Sequence, residues 1–171
     1  MVSVAVEVER KFLVAGDGWQ QLVRDSQHFG QGYLAASENC LVRVRVGADT
    51  AWLTLKGRDM QAGSESGSVS GSISEGGLLK RFEFEYEIPV ADGQQLLEQL
   101  TYASLEKTRF FLDMPEYDWT VDVFSGRYAG LVLLEIEGSG VESLDAAKLP
   151  DWVGAEVSND PAYANANLAK K

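Results

Sequence analysis

Glu7, Glu9 and Lys11 occupy alternate positions in segment 4–14, which reads Val-Ala-Val-Glu-Val-Glu-Arg-Lys-Phe-Leu-Val. In an extended strand, positions i, i+2 and i+4 share a face, so two carboxylates and an ammonium point one way while Val6, Val8 and Phe12 point the other. Acids at this spacing repel and take up protons unless a cation neutralises them. A hard divalent metal does so, taking carboxylate oxygens and commonly completing its shell with water and phosphate. Taken alone, the segment also fits the solvated side of an antiparallel sheet. Repetition separates the two readings.

The same alternation recurs in segments 41–46, 51–56, 81–88, 104–111, 119–124 and 131–137. These contribute the bases Arg43, Arg45, Lys56, Arg81, Lys107 and Arg109 and the acids Glu83, Glu85, Asp122, Glu135 and Glu137. Seven acids and seven bases thus share the ionic faces, out of 26 and 15 in the chain, so the formal charge of −11 rests on the remainder. Each apolar face must be buried, and ionic faces at this density converge inside a closed or nearly closed antiparallel barrel with helices outside. Such an interior grips a small anion. Arginine meets phosphate oxygens through its planar fork and lysine as a point charge, while the acid pairs hold metal. The acidic exterior repels long polyanions, so nucleic acid is not the expected partner. No His-rich or Cys-rich metal spacing, phosphate loop or nucleophile elbow competes.

The elements that must position these residues follow from the rest of the chain. At 171 residues and 45% hydrophobic content it reads as one domain, 1–171, of α+β class with mainly antiparallel β structure. No apolar run reaches the roughly 18 residues of a membrane helix, and Met1-Val2-Ser3 lacks the opening of a signal peptide. With the single Cys40 read as a small packing residue, the expected location is a reducing cytoplasm. Helices are expected at 17–24, capped by Asp17, at 91–100 with a Leu96, Leu97 and Leu100 stripe, and from Asp160 onward. Residues 29–34 read as a turn into a strand. Segment 58–78, rich in Gly and Ser, reads as a flexible hairpin loop or lid.

The motifs together resemble the CYTH superfamily, the triphosphate tunnel metalloenzymes, in its short bacterial inorganic triphosphatase form. The resemblance rests on Glu7-x-Glu9-x-Lys11, Gln31-Gly32-Tyr33-Leu34, Arg43-x-Arg45 and Leu53-Thr54-Leu55-Lys56-Gly57. Further along, Glu83-x-Glu85-x-Glu87-Ile88-Pro89, Lys107-x-Arg109, Val121-Asp122-Val123, Glu135-x-Glu137 and Asp160-Pro161-Ala162-Tyr163 continue it. The Gly/Ser segment departs from the short turn expected there.

That resemblance implies an eight-stranded tunnel acting on triphosphates with Mg2+ or Mn2+, two ions when substrate is bound. It implies Glu7, Glu9, Asp122, Glu135 and Glu137 as metal ligands, with Glu135 and Glu137 as the acidic wall opposite the first strand. It implies Lys11, Arg43, Arg45, Lys56, Arg81, Lys107 and Arg109 as triphosphate ligands, and a catalytic part for Lys11, Glu83 and Glu85. Glu85 is also a possible further metal ligand, and Glu83 either holds a base in place or assists a water. Lys11 is expected to stabilise a phosphate oxygen rather than act as a base, because Glu7 and Glu9 keep an ammonium charged.

Tyr33 is left between orienting substrate and lining the wall, and His28 reads as structural. Trp19, Trp52, Trp119 and Trp152 read as core. With no evident pocket for an organic group, tripolyphosphate is the expected substrate. Nucleoside or thiamine triphosphatase, class IV adenylate cyclase and a non-catalytic polyphosphate-binding module are the alternatives.

Overall fold

A computed structural model describes residues 5–37, 39–57, 72–73, 79–138, 144 and 147–170, of which 5–7, 72–73 and 79–82 are described by their backbone alone. The described strands are β1 Ala5–Val14, β2 Val23–Ala36, β3 Cys40–Val46, β4 Ala51–Gly57, β5 Ser72–Ile73, β6 Leu79–Ile88, β7 Ala103–Leu112, β8 Asp118–Phe124, β9 Val132–Gly138 and β10 Val153–Glu156. Their pairings are antiparallel and run β1, β9, β8, β7, β2, β3, β4, β6. The circuit then returns to its start, because β6 pairs with β1 from Ala5↔Glu83 to Glu9↔Leu79 as well as with β4. Eight strands therefore form the expected tunnel. The short β5 and β10 attach to β6 and β1.

Alternation along each strand decides what packs where. The outward residues Val8, Phe12, Trp119, Val121, Leu134 and Ile136 form one core with Trp19, Leu112 and Leu144. A second outer core joins Val44, Val46 and Ala51 to the helix α1, Val90–Gln99, through Leu96 and Leu97. Asp92 in the first turn of α1 complements the helix dipole. Leu100 falls just beyond the helix and is 63% exposed, so the expected stripe is shorter by one residue. No helix among the described residues is long and apolar enough to cross a membrane.

Other expectations change with their physical reasons. Residues 29–34 are the middle of a long strand rather than a turn, and the glycines serve helix packing. A Cβ on Gly32 would lie 2.3 Å from Thr101 Cγ2, and one on Gly30 would lie 2.8 Å from Leu97 Cδ2. The helix expected at 17–24 is a 3-10 turn, Gly18–Leu22, because β-branched Val23 already pairs with Leu112 of β7. Asp17 makes no side-chain cap there. The helix from Asp160 is interrupted. Asp160 does cap a 3-10 turn, accepting from Ala162 N at 2.9 Å, but Ala164 is extended before the helical turn Asn165–Leu168. Apart from Ser72 and Ile73, the Gly/Ser segment 58–78 lies outside the described residues.

The C-terminal segment meets the inner face, not the exterior. Val157, Leu168 and Ala169 pack with Tyr33, Leu41, Leu105, Phe124 and Leu133, which share the inward parity of the ionic residues. That apolar cluster fills one end of the tunnel.

Candidate active site

Cross-strand register places the expected ionic residues on one inner surface. Glu9 faces Glu137 and Lys11 faces Glu135 between β1 and β9, while Arg109 faces Asp122 between β7 and β8. On the other arc Arg43 faces Thr54, Thr54 faces Glu85, and Lys56 faces Glu83. Glu7 and Arg81 are backbone partners, and their side chains lie outside what the structure describes. The acidic residues of β9 adjoin β1 directly, so Glu135 and Glu137 are neighbours of Glu9 and Lys11 rather than an opposite wall.

The arc of β1, β9, β8 and β7 is a saturated ionic network. Arg109 grips Asp122 with two hydrogen bonds, Nε to Oδ1 at 2.8 Å and an Nη to Oδ2 at 2.7 Å, and also donates to Glu135. Lys107 pairs with Asp122, and Lys11 with Glu135 at 2.9 Å. Burial works to raise Asp122, but Arg109 and then Lys107 outweigh it and hold the carboxyl below its ordinary range. Glu135 lies well below that range, because Lys11, Arg109 and Lys107 together overcome its burial. Burial likewise works to lower Arg109, yet Asp122 and Glu135 raise it. For Lys107 burial wins, pushing the ammonium down to about 8 against the pull of Asp122.

The arc of β3, β4 and β6 is looser. Glu85 accepts from Arg43 at 3.1 Å, from Arg45 at 3.1 and 3.3 Å, and from Thr54 at 2.8 Å. Glu83 pairs with Lys56 at 2.6 Å and reaches Arg43 at 3.4 Å. Glu83 thus lies between two bases. The Nε–H groups of Arg43 and Arg45 are buried with no hydrogen-bond partner among the described residues. Burial first, and Arg43 second, push Arg45 down to about 10 while Glu85 opposes them.

Metal ligands were expected among these acids. Among the described residues no set of three or more Asp, Glu, His or Cys side chains is already gathered around one point. The donors nevertheless suit a hard divalent ion. Glu9 and Glu137 are direct cross-strand partners, and Asp118 of β8, which the strand pattern left out, continues the row opposite Glu137. Like charges directly opposite destabilise a sheet, so this row favours a cation between its members.

Other side chains were misjudged or missed. Trp52 is not core: Arg45 Cζ lies 5.1 Å from its ring and 5.1 Å from the Phe29 ring, both on the inner face. Thr54, fully buried, orients Glu85 and Arg43, and only its register opposite Arg43 would have marked it. Tyr33 belongs to the apolar end and accepts from Gln31 Nε2 at 2.7 Å. His28 is exposed and 3.5 Å from Thr108 Oγ1, away from the ionic face. Trp19 and Trp119 are core, as expected, and Trp152 packs against it.

A closed antiparallel tunnel lined with interleaved acids and bases defines a receptor for a small, highly charged anion. The chain belongs to the CYTH domain family, whose pattern matches residues 5–140. It is 38% identical over 165 residues to an inorganic triphosphatase of Acetivibrio thermocellus, covering 96% of this chain and 93% of that protein. It is 33% identical over 167 residues to an inorganic triphosphatase of Nitrosomonas europaea, covering 95% and 96% of the two chains. In three dimensions it resembles the crystal structure of the inorganic triphosphatase NE1496 with a TM-score of 0.63 and 29% identity, covering 100% and 97% of the two chains.

Proposed function

We propose that the chain is a metal-dependent inorganic triphosphatase, hydrolysing tripolyphosphate to pyrophosphate and phosphate within the tunnel. The observation that carries this reading is the inner wall itself. Arg43 and Arg45 hold buried Nε–H donors without acceptors among the described residues, beside Lys56, while Lys11, Lys107 and Arg109 line the facing arc. The relatives named inorganic triphosphatases across nearly the whole chain support the substrate class.

The six bases with described side chains would grip the phosphate oxygens, Glu83 and Glu85 keeping Lys56, Arg43 and Arg45 aimed inward. Lys11 would hold charge on the oxygen that bridges to the departing pyrophosphate. Water attacks the terminal phosphorus, the bridging P–O bond breaks with its electron pair leaving on pyrophosphate, and the water's proton passes to a carboxylate or to solvent. Glu9 and Glu137, with Glu7, Asp122 and Glu135 as further candidates, would hold Mg2+ or Mn2+. When bound, such ions supply charge neutralisation and a more acidic water. Electrostatic stabilisation supplies most of the acceleration. The same reading takes the chain as one domain working in a reducing cytoplasm, consistent with its single cysteine.

Incubation of the purified protein with tripolyphosphate and Mg2+ or Mn2+ should release equal amounts of orthophosphate and pyrophosphate. ATP, thiamine triphosphate and pyrophosphate tested alongside should turn over more slowly, and chelation should stop the reaction. Binding of tripolyphosphate without release of phosphate, or cyclic AMP formed from ATP, would overturn the assignment.

A further inference from the structure

Building on the phosphate-binding reading above, we infer that Phe29 and Trp52 are positioning residues that hold Arg45 in place as a receptor for a phosphate oxygen. Arg45 faces Gln31 on β2 and Trp52 on β4, and Phe29 lies two residues along β2 on the same face. Its guanidinium carbon is 5.1 Å from each ring. The rings also meet edge to face, with centroids 6.1 Å apart, so each limits the other's movement.

The choice of aromatic neighbours has a chemical reason. A carboxylate stabilises a guanidinium by accepting its hydrogen bonds and so occupies the donors that a phosphate would need. An aromatic face attracts the cation through its quadrupole and accepts no conventional hydrogen bond. Arg109 illustrates the first solution, held by Asp122 and Glu135 together. Arg45 illustrates the second. Its carboxylate, Glu85, is shared with Arg43 and Thr54, and its Nε–H is buried without an acceptor among the described residues. The rings keep that cation in place without claiming a hydrogen-bond donor.

The test compares Trp52→Leu, Phe29→Leu and Trp52→Phe with the intact chain, using tripolyphosphate turnover and calorimetric binding with Mg2+. Each leucine variant should raise KM and Kd about three- to tenfold, the size of a desolvated cation–π contact, with kcat within about twofold. Trp52→Phe should recover most of the affinity. In an Arg45→Ala background, Trp52→Leu should add little. Unchanged KM and Kd in folded variants, a fall in kcat alone, or a full ring effect without Arg45 would each overturn the inference. Should Trp52→Leu fail to fold, the near-volume-conserving Phe29→Leu gives the same reading. If the intact chain binds tripolyphosphate but does not hydrolyse it, the triphosphatase assignment falls while calorimetry still reads the clamp; if it does not bind, both fall.

Discussion

On both arcs every described base has a carboxylate close by, but on the arc of β3, β4 and β6 the Nε–H groups of Arg43 and Arg45 are buried with no partner among the described residues, whereas on the arc of β1, β9, β8 and β7 Arg109 Nε is claimed by Asp122. Both arcs carry similar residue types at the same two-residue spacing. Their difference lies in how the bases are compensated: on one arc carboxylates claim them, and on the other part of their hydrogen-bonding capacity is left for an arriving anion. The first therefore bears chiefly on stability, and the second on affinity.

The largest expected effect tests the saturated arc. Asp122→Ala leaves Lys107 and Arg109 buried without their shared carboxylate, which should cost about 3–5 kcal/mol. A thermal melt should then fall by roughly 10 °C or more, and a fall of only a degree or two would contradict the comparison. On the other arc Arg43→Ala should behave differently. Glu83 keeps Lys56, and Glu85 keeps Arg45 and Thr54, so stability should change by only about 1 kcal/mol. The KM for tripolyphosphate should rise about 10- to 100-fold, the worth of a hydrogen bond to a charged group.

Acid titration sharpens the contrast further. Asp122 and Glu135 have folded pKa values below their ordinary range, so the stability they contribute is complete above about pH 4 and is lost as pH falls through the folded values. Melting temperature in chelator should fall steeply below about pH 4, and Asp122→Ala should flatten that fall. Lys107 has the opposite sense. Its folded pKa near 8 lies below the ordinary 10.5, so its unfavourable contribution is full below pH 8 and fades as pH rises toward 10.5. In Lys107→Met that alkaline gain should disappear from the stability curve. The smallest effect belongs outside the tunnel. Glu156→Gln removes the pair with Arg10, and because the carboxylate is partly exposed the loss should stay below about 1 kcal/mol with kcat unchanged.

Much of this was legible in the chain because strand alternation has a period of two. Arg43-x-Arg45 and Lys107-x-Arg109 could share a face only if extended. What alternation does not encode is cross-strand register. Nothing local to Trp52 says that Arg45 lies opposite it, and Asp118 lies one residue outside the alternating segment 119–124, so that only the register of β8 against Glu137 brings it in. Gly30 and Gly32 misled for a related reason. Their bare surface reads as a turn in isolation, and only the approach of Leu97 and Thr101 reveals its use. The C-terminal segment was read as one helix because Pro161 and the alanines permit it; its inward apolar contacts, made at long range, impose the break at Ala164.

The position of β1 has a consequence for how the tunnel assembles. Its partners are β6, β9 and β10, beginning at Leu79 and ending at Glu156, whereas β2, β3 and β4 pair in succession. During synthesis the strand carrying Glu9 and Lys11 emerges before all its partners and has no adjacent strand to join until Leu79–Glu83 follows, about seventy residues later, and none opposite Lys11 until β9. Its backbone at Lys11 is then fastened by Val157 N, which donates to Lys11 O at 2.8 Å, and by Ser158 Oγ, which accepts from Lys11 N at 2.9 Å. Such separation in sequence slows folding, because the loop entropy is lost before the contacts form. Glu9 and Lys11 are therefore made long before the strands that lock them into the wall.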